Sequence, residues 1–403
     1  MQESVPSRHP PLFPLAAPSL ALLGMLTAID AMSIDIYVPA LPQIARAMAV
    51  SPVAIQATLS LFLLGIGLGQ AFWGPLSDRV GRRGPLLVGL CIYCAGSLGC
   101  VLAPSVGWLS LARFVQAIGA SSGLVLSRAI VADIWPEERT ARIYSLLMQV
   151  LGVTALVSPL IGAGLLQLGS WRVIFVVLLG VGLVSLGWSA LGIRESLPAG
   201  ARAGGASFLS GYSRVLRRPA FLLATATSSL ATAAMFATLS GSSFLFVTYY
   251  GWTSGEFALL YAGSALVFIG VCEINQRQLK RRSATDLLRL AVTLQVIGAA
   301  AMTALLPLAG PVQAWGFALG WILLMGNLGI LLGNSVAVTM RLAPAEDAGT
   351  ASAVIGVAQF ALSAAIAPLA TLLTNLPASF ALTTLACAVL AWIAAKLAFR
   401  AQR

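Results

Sequence analysis

Apolar residues run along this chain in long, nearly unbroken stretches separated by short polar segments. Twelve such stretches can be bounded: 15–38, 53–74, 84–103, 106–127, 141–166, 172–192, 220–248, 254–275, 285–306, 311–337, 350–374 and 376–398. A helix rises ~1.5 Å per residue, so about 20 apolar residues cross a hydrocarbon core ~30 Å thick. Lipid offers no partners for backbone polar groups, so each span must satisfy its own hydrogen bonds as a helix. The residue-by-residue alternation of a membrane barrel is missing from these runs. The pattern predicts an all-α membrane protein with 12 transmembrane helices.

The polar segments organise the spans. The longest, residues 193–219, reads "IRESLPAGARAGGASFLSGYSRVLRRP" and is rich in Gly and Arg. It predicts a cytoplasmic linker between an N-terminal six-helix bundle, 15–192, and a C-terminal one, 220–403, which ends in a short cytoplasmic tail. Residues 1–14 form an N-terminal tail. The loop after the second span, "SDRVGRR", has a counterpart after the eighth, "NQRQLKRR", which lacks the acid and the glycine. Such repetition is typical of secondary transporters, whose substrate site lies between the repeats.

Composition agrees with the pattern: 59% of residues are hydrophobic and 9% are charged. The net charge of +11 does not point to nucleic acid once its distribution is read. With the N-terminus in the cytoplasm, only Arg46 and Arg172 of 24 basic residues fall in outward loops, and Arg113 falls inside a span. All the others lie on the cytoplasmic side. This positive-inside bias places both termini in the cytoplasm, with some attraction to anionic lipid. The first apolar run continues into "DIYVPALP" with no small-residue cleavage site, so it is expected to remain as a span. The pair "CIYC" at 91–94 has no accompanying His or second pair and reads as helix packing. The only histidine, His9, lies in the N-terminal tail, which leaves no intramembrane His relay, Ser–His dyad or His-held metal. No "GxxxxGK[ST]" appears, so ATP is not the expected energy source. The chain is expected not to be an enzyme, and to need no cofactor or metal.

Charge inside the membrane is the informative exception. Asp30 and Asp35 lie in the first span, where a carboxylate must face water, find a partner or take up a proton. Five residues apart, they point about 140° apart around a helix. Arg113 lies at similar depth in the fourth span, with Gln116 one turn further along its face. The reading is that Arg113 and Asp35 are coupled, directly or through water, and that Asp35 carries a proton. A static polar pair is the alternative. Asp30 reads either as a second cavity acid or as a buried neutral group.

The charged stretch "GPLSDRVGRR", Gly74 to Arg83, reads as a latch. Gly74 would permit close helix approach and Gly81 a tight turn with positive φ. Asp78 would face the start of the eleventh helix near Gly349, and Arg79 would reach Asp133. Arg82 and Arg83 add orientation charge.

These residues resemble a known family. Gly74 to Arg83 is similar to the "GxLaDrxGrr" signature of the major facilitator superfamily, and "RFVQAIGA", with Arg113, Gln116 and Gly119, to its fourth-helix signature. "GVTALVSPLIG" resembles the fifth-helix signature of its drug:proton antiporters, carrying Gly152, Ser158, Pro159 and Gly162. Ser158 stands where glycine is usual. "SIDIYVPALPQI", "LGQAFWGPLSDRVGRR", "RAIVADIW", "WRVIF" and "GTASAVIGVAQF" resemble the bicyclomycin/chloramphenicol resistance group of efflux proteins. The resemblance implies the major facilitator fold, two pseudo-symmetric bundles, alternating access and proton-driven export of small amphiphilic drugs across the bacterial inner membrane. It also implies that Asp35 is central to coupling, while Thr27 stands at the more inward acidic site of some relatives. Pro159 is expected to bend its helix, and Gly152, Gly162 and Gly164 to allow close packing. A metabolite transporter, for a nucleoside or sugar, is the alternative. Substrate-cavity candidates are Tyr37, Gln116, Gln149, Phe236, Phe244, Tyr261, Asn327 and Gln359, an apolar pocket with a few polar groups. Glu273 is expected to pair with Arg277 one turn on. The partners are a small drug or metabolite, protons and the bilayer, with the chain a monomer.

Overall fold

A computed structural model describes residues 18–197, 214–343 and 348–400. The N-terminal tail and most of the linker lie outside the described residues. Twelve helices among those described are long and apolar enough to span a membrane. They are α1 (Leu20–Ala47), α2 (Pro52–Val80), α3 (Arg83–Val101), α4 (Val106–Ile134), α5 (Glu137–Leu166) and α6 (Arg172–Gly192) in the first half. The second half holds α7 (Pro219–Tyr249), α8 (Ser254–Gln278), α9 (Ala284–Ala304), α10 (Gly310–Met340), α11 (Ala348–Ile366) and α12 (Leu376–Arg400).

Local chemistry sets the helix starts. Ser19, Ser51, Ser105 and Ser283 each accept a backbone N–H of the following turn, and Thr253 forms a capping box with Glu256. Pro52 and Pro219 sit in the first turns of their helices, where the lost N–H costs nothing. The first span runs further than its sequence suggested. A bend at Asp35–Tyr37 and a 3₁₀ turn at Val38–Ala40 lead into a final helical segment, Leu41–Ala47. Pro39 and Pro42 fall in first-turn positions, so the chain re-initiates a helix instead of ending one. The last turns of α7, Phe244–Tyr249, are π-helical.

Packing repeats six helices later. Helix α4 packs against α1, α2 and α3, as α10 packs against α7, α8 and α9. The pairs α3–α6 and α1–α5 recur as α9–α12 and α7–α11. The two halves meet along α2–α11 and α5–α8, pairs that exchange under the same pseudo-symmetry. Close packing within a half depends on small residues. A Cβ on Gly119 would stand 2.2 Å from the Tyr93 backbone N and 2.6 Å from the Gly89 O. The α3–α4 crossing therefore admits no larger residue there.

Candidate functional site

The first site component sits on the seam between the halves. Among the described residues, Asp30 and Asp35 are the only buried carboxylates, at 8% and 7% exposure. The bend after Asp35 turns its side chain toward the second half, where the Tyr261 hydroxyl on α8 donates to Asp35 Oδ1 at 2.6 Å. Tyr261 is held by edge contacts with Phe257 and Trp321. Asp30 instead accepts the N–H of Ala31 at 2.8 Å, a local contact on its own helix. A second bond across the seam, Gln56 Nε2 to the Ser240 O at 3.4 Å, lies near the same membrane face. That face is opposite the one at which α1 starts and α12 ends, and is called the far face below.

Arg113 does not touch Asp35. Its Nη1 donates to Gln116 Oε1 at 2.7 Å, and Gln116 Nε2 donates to Ser97 at 2.8 Å. Its guanidinium lies 3.9 Å from the Phe62 ring centroid and 4.5 Å from that of Tyr37. Nε and Nη2 have no hydrogen-bond partner among the described residues. Of the two forms of coupling expected, direct or through water, the direct contact is absent, because Arg113 points into the interior of the first half, among α2, α3 and α6, while Asp35 faces α8. Aromatic faces contact the cation there, as cation–π contacts.

The cavity candidates divide in the same way. Tyr37 donates to or accepts from Thr58 at 2.7 Å inside the first half, and Gln116 is buried beside Arg113. Asn327 donates to the Ala291 O at 2.9 Å, between α10 and α9. These three stand within bundles, not on the seam, because each finds its hydrogen-bond partner on a helix of its own half. Phe236 packs against Phe360 with ring centroids 6.0 Å apart, where α11 also meets Gly67 of α2. Gln359 donates to Ser228 on α7, Phe244 is buried in the core, and Gln149 is exposed. Of these candidates, Tyr261 bonds across the seam, and Phe236 meets it through Phe360, which borders Gly67 of α2.

In α5, Gly162 earns its place: a Cβ would stand 2.3 Å from the Ile36 O, at the bend of α1. Gly152 faces Ile269 of α8 with ordinary room for a methyl group, and Gly164 faces open space. Close packing is therefore required only at Gly162 of the three. Ser158 is buried, and Pro159 lies within the helix.

The charged stretch builds a second component at the face where α1 starts. Arg82, not Arg79, reaches Asp133, with Nε to Oδ2 at 3.0 Å. Its Nη1 donates to Asp78 Oδ1 at 2.5 Å and to Ser77 Oγ at 2.8 Å. Arg79 is exposed beyond them. Gly81, at φ +102°, reverses the chain and points Arg82 back along α2, which Arg79 on the helix cannot match. Burial of Arg82 opposes its charge, but the bonds from Asp133 and Asp78 outweigh that and push its pKa upward. Gly74 has ordinary room beside Val125, so no close approach depends on it.

Glu195 completes this cluster and was not foreseen. It accepts the backbone N–H of Arg82 at 2.7 Å and of Arg83 at 3.3 Å, capping α3. Ser196 donates to Asp133 at 2.8 Å, and Arg83 to the Ala190 O at 2.9 Å. The signal was an acid directly after the sixth span, inside a segment read as linker. The cluster closes within one half. Asp78 remains about half exposed, at 51% of its side chain. Its expected partner, the start of α11 near Gly349, adjoins residues 344–347, outside the described residues. Glu273 and Arg277 form the expected pair at 3.1 Å, on an exposed face. No group of three or more potential metal ligands occurs among the described residues.

Comparison with known proteins fits this geometry. An uncharacterized MFS-type transporter of Bacillus subtilis, YdgK, is 32% identical over 86% of this chain and 87% of its own length. A bicyclomycin resistance protein homolog of Haemophilus influenzae is 27% identical over 92% of this chain and 94% of its own. The crystal structure of a bacterial homolog of the human lysosomal transporter Spinster superposes with a TM-score of 0.69, covering 95% of this chain and 96% of that one at 17% identity. Residues 23–368 match the family model described as Major Facilitator Superfamily. With twelve spans in two repeated halves and the charged loop between α2 and α3, the chain belongs to the Major Facilitator Superfamily.

Proposed function

We propose that the chain is a proton-coupled multidrug antiporter that exports small amphiphilic drugs, phenicol- or bicyclomycin-like, across the bacterial inner membrane, with both termini cytoplasmic. The observation that carries the reading is the buried Asp35–Tyr261 hydrogen bond across the seam. It joins a proton-binding group to the contact that must break when the far face opens. A phenol donates more strongly to a carboxylate than to a neutral acid. Ionised Asp35 therefore favours closure of the far face, and protonation weakens it.

The cycle follows. Drug enters from the cytoplasm between the halves, near Phe236, Phe360 and Gln359. Its tighter binding to the state open at the far face supplies the free energy to break the seam. A proton taken up by Asp35 there keeps that face open while drug leaves. Re-formation of the Tyr261 bond accompanies proton release to the cytoplasm. The Arg82 cluster holds α2, α3 and α4 as one body and leaves Asp78 at the surface to meet α11 when the cytoplasmic side closes. The relative named for bicyclomycin resistance supports the drug class. The driving force is the proton gradient, with no bound cofactor.

Inside-out vesicles test the proposal. Adding chloramphenicol to vesicles holding a proton gradient should release protons, read by a pH-sensitive dye. Asp35→Asn should abolish that release while leaving the protein inserted. Uptake of a nucleoside or sugar, with no drug-dependent proton release, would replace the proposal with the metabolite reading.

A further inference from the structure

A cavity of about 330 Å³ lies between α9 and α12, away from the seam, because neither helix packs against the first half. Its charged lining residues are Arg289, Lys396 and Arg400, and its apolar lining includes Val292, Ala395 and Trp392. Arg289 stands five residues from the start of α9, and Lys396 four residues from the end of α12. At ~1.5 Å per residue the two lie at nearly the same depth, just inside the face where α1 starts. Lys396 does not extend away from the protein. Its Nζ lies 3.5 Å from the Trp392 ring centroid, one turn deeper, so the ammonium is held against the cavity wall. Asp286 stands 3.7 Å from Arg289 at the same end of the cavity, while Lys396 and Arg400 enter it from α12. The preceding turn adds Lys280, Arg281 and Arg282 at the same face.

Topology explains basic residues at this face but not their convergence on one cavity with an apolar floor and an aromatic wall. A ligand for it must carry negative charge at the level of the membrane interface and apolar groups below. We propose that this cavity binds the headgroup of an anionic phospholipid, with its phosphate among Arg289, Lys396 and Arg400 and its glycerol and upper acyl carbons against Val292, Ala395 and Trp392. Basic pockets between helices at this depth suit such headgroups, and the indole suits the interface. The site would tie the outer wall of the second half to the lipid composition of its leaflet.

The test uses the full-length protein purified in a neutral detergent. Its thermal unfolding is followed as dioleoyl-phosphatidylglycerol, dioleoyl-phosphatidylcholine or inorganic phosphate is added. Phosphatidylglycerol should raise the midpoint in a saturable way, and the other two should not. The double variant Lys396→Gln with Arg400→Gln should need about thirtyfold more phosphatidylglycerol for half the effect. Lys396→Arg should keep the wild-type response, and so should Arg46→Gln at the opposite face. All three positions are exposed, so these changes leave the core intact. Equal stabilisation by phosphatidylcholine, an equal effect of phosphate alone, or an unchanged response in the double variant would each overturn the proposal.

Discussion

Tyr261→Phe isolates the bond on which the transport reading depends. The ring keeps its edge contacts with Phe257 and Trp321, whose centroids lie 6.2 and 5.6 Å away, so packing survives the change. What is lost is one hydroxyl that donates to a buried carboxylate at 2.6 Å. A hydrogen bond to a charged group contributes ~1.5–3 kcal/mol. The bond spans the two halves, so it exists only while the far face is closed. Its removal should shift the closed-to-open equilibrium by about 10- to 150-fold. Spin labels report this directly. The last segment of α1, Leu41–Ala47, packs against the π-helical end of α7, Phe244–Tyr249, across the seam. Labels on cysteines at Arg46 and Tyr249, both exposed, should give a short distance in an otherwise cysteine-free protein. Tyr261→Phe should add a longer, open population. Asp35→Asn keeps an acceptor but loses the charge, so it should shift the same way by about half the free energy. An unchanged distance distribution in Tyr261→Phe, or a shift toward closure in Asp35→Asn, would refute the reasoning.

Other substitutions probe the two components separately. Arg82→Met removes the donor shared by Asp78, Asp133 and Ser77 and should lower transport and melting temperature, whereas Arg79→Met should cost little; melting curves and drug export compare them. Gly119→Val forces side-chain atoms onto the Tyr93 and Gly89 backbone and should prevent accumulation of folded protein, beyond the ~1–3 kcal/mol of ordinary overpacking. Gly162→Ala should disturb the bend of α1 at Ile36 and reduce export, while Gly164→Ala should behave as wild type in the same vesicle assay. Gly81→Ala adds backbone strain of ~1–3 kcal/mol at φ +102° and ψ 168°, a region essentially confined to glycine, and crowds Glu195, so its melting temperature should fall.

Much of this molecule is legible from a single chain because lipid imposes one local rule. Every span must be apolar and must satisfy its own backbone, so span number and helical class follow from residue type alone. The loop charges and the repeated halves follow from the same one-dimensional pattern. Asp35, Asp30 and Arg113 stand out for the same reason, as costly groups in an apolar setting. Their partners do not. Depth along a helix can be counted, but facing cannot be settled when a span is apolar all round. Arg113 and Asp35 share a depth and still part company, one turned into its bundle and one across the seam. Arg82 and Arg79 were indistinguishable as neighbours in sequence until the turn at Gly81 chose between them. Glu195 lay unnoticed because its partners are backbone N–H groups more than a hundred residues away, which no side-chain pattern marks. The sequence by itself determined what must lie in the membrane and which groups are out of place there. The tertiary structure alone decided which of those groups meet, because helix rotation and long-range contact are set by packing and not by composition.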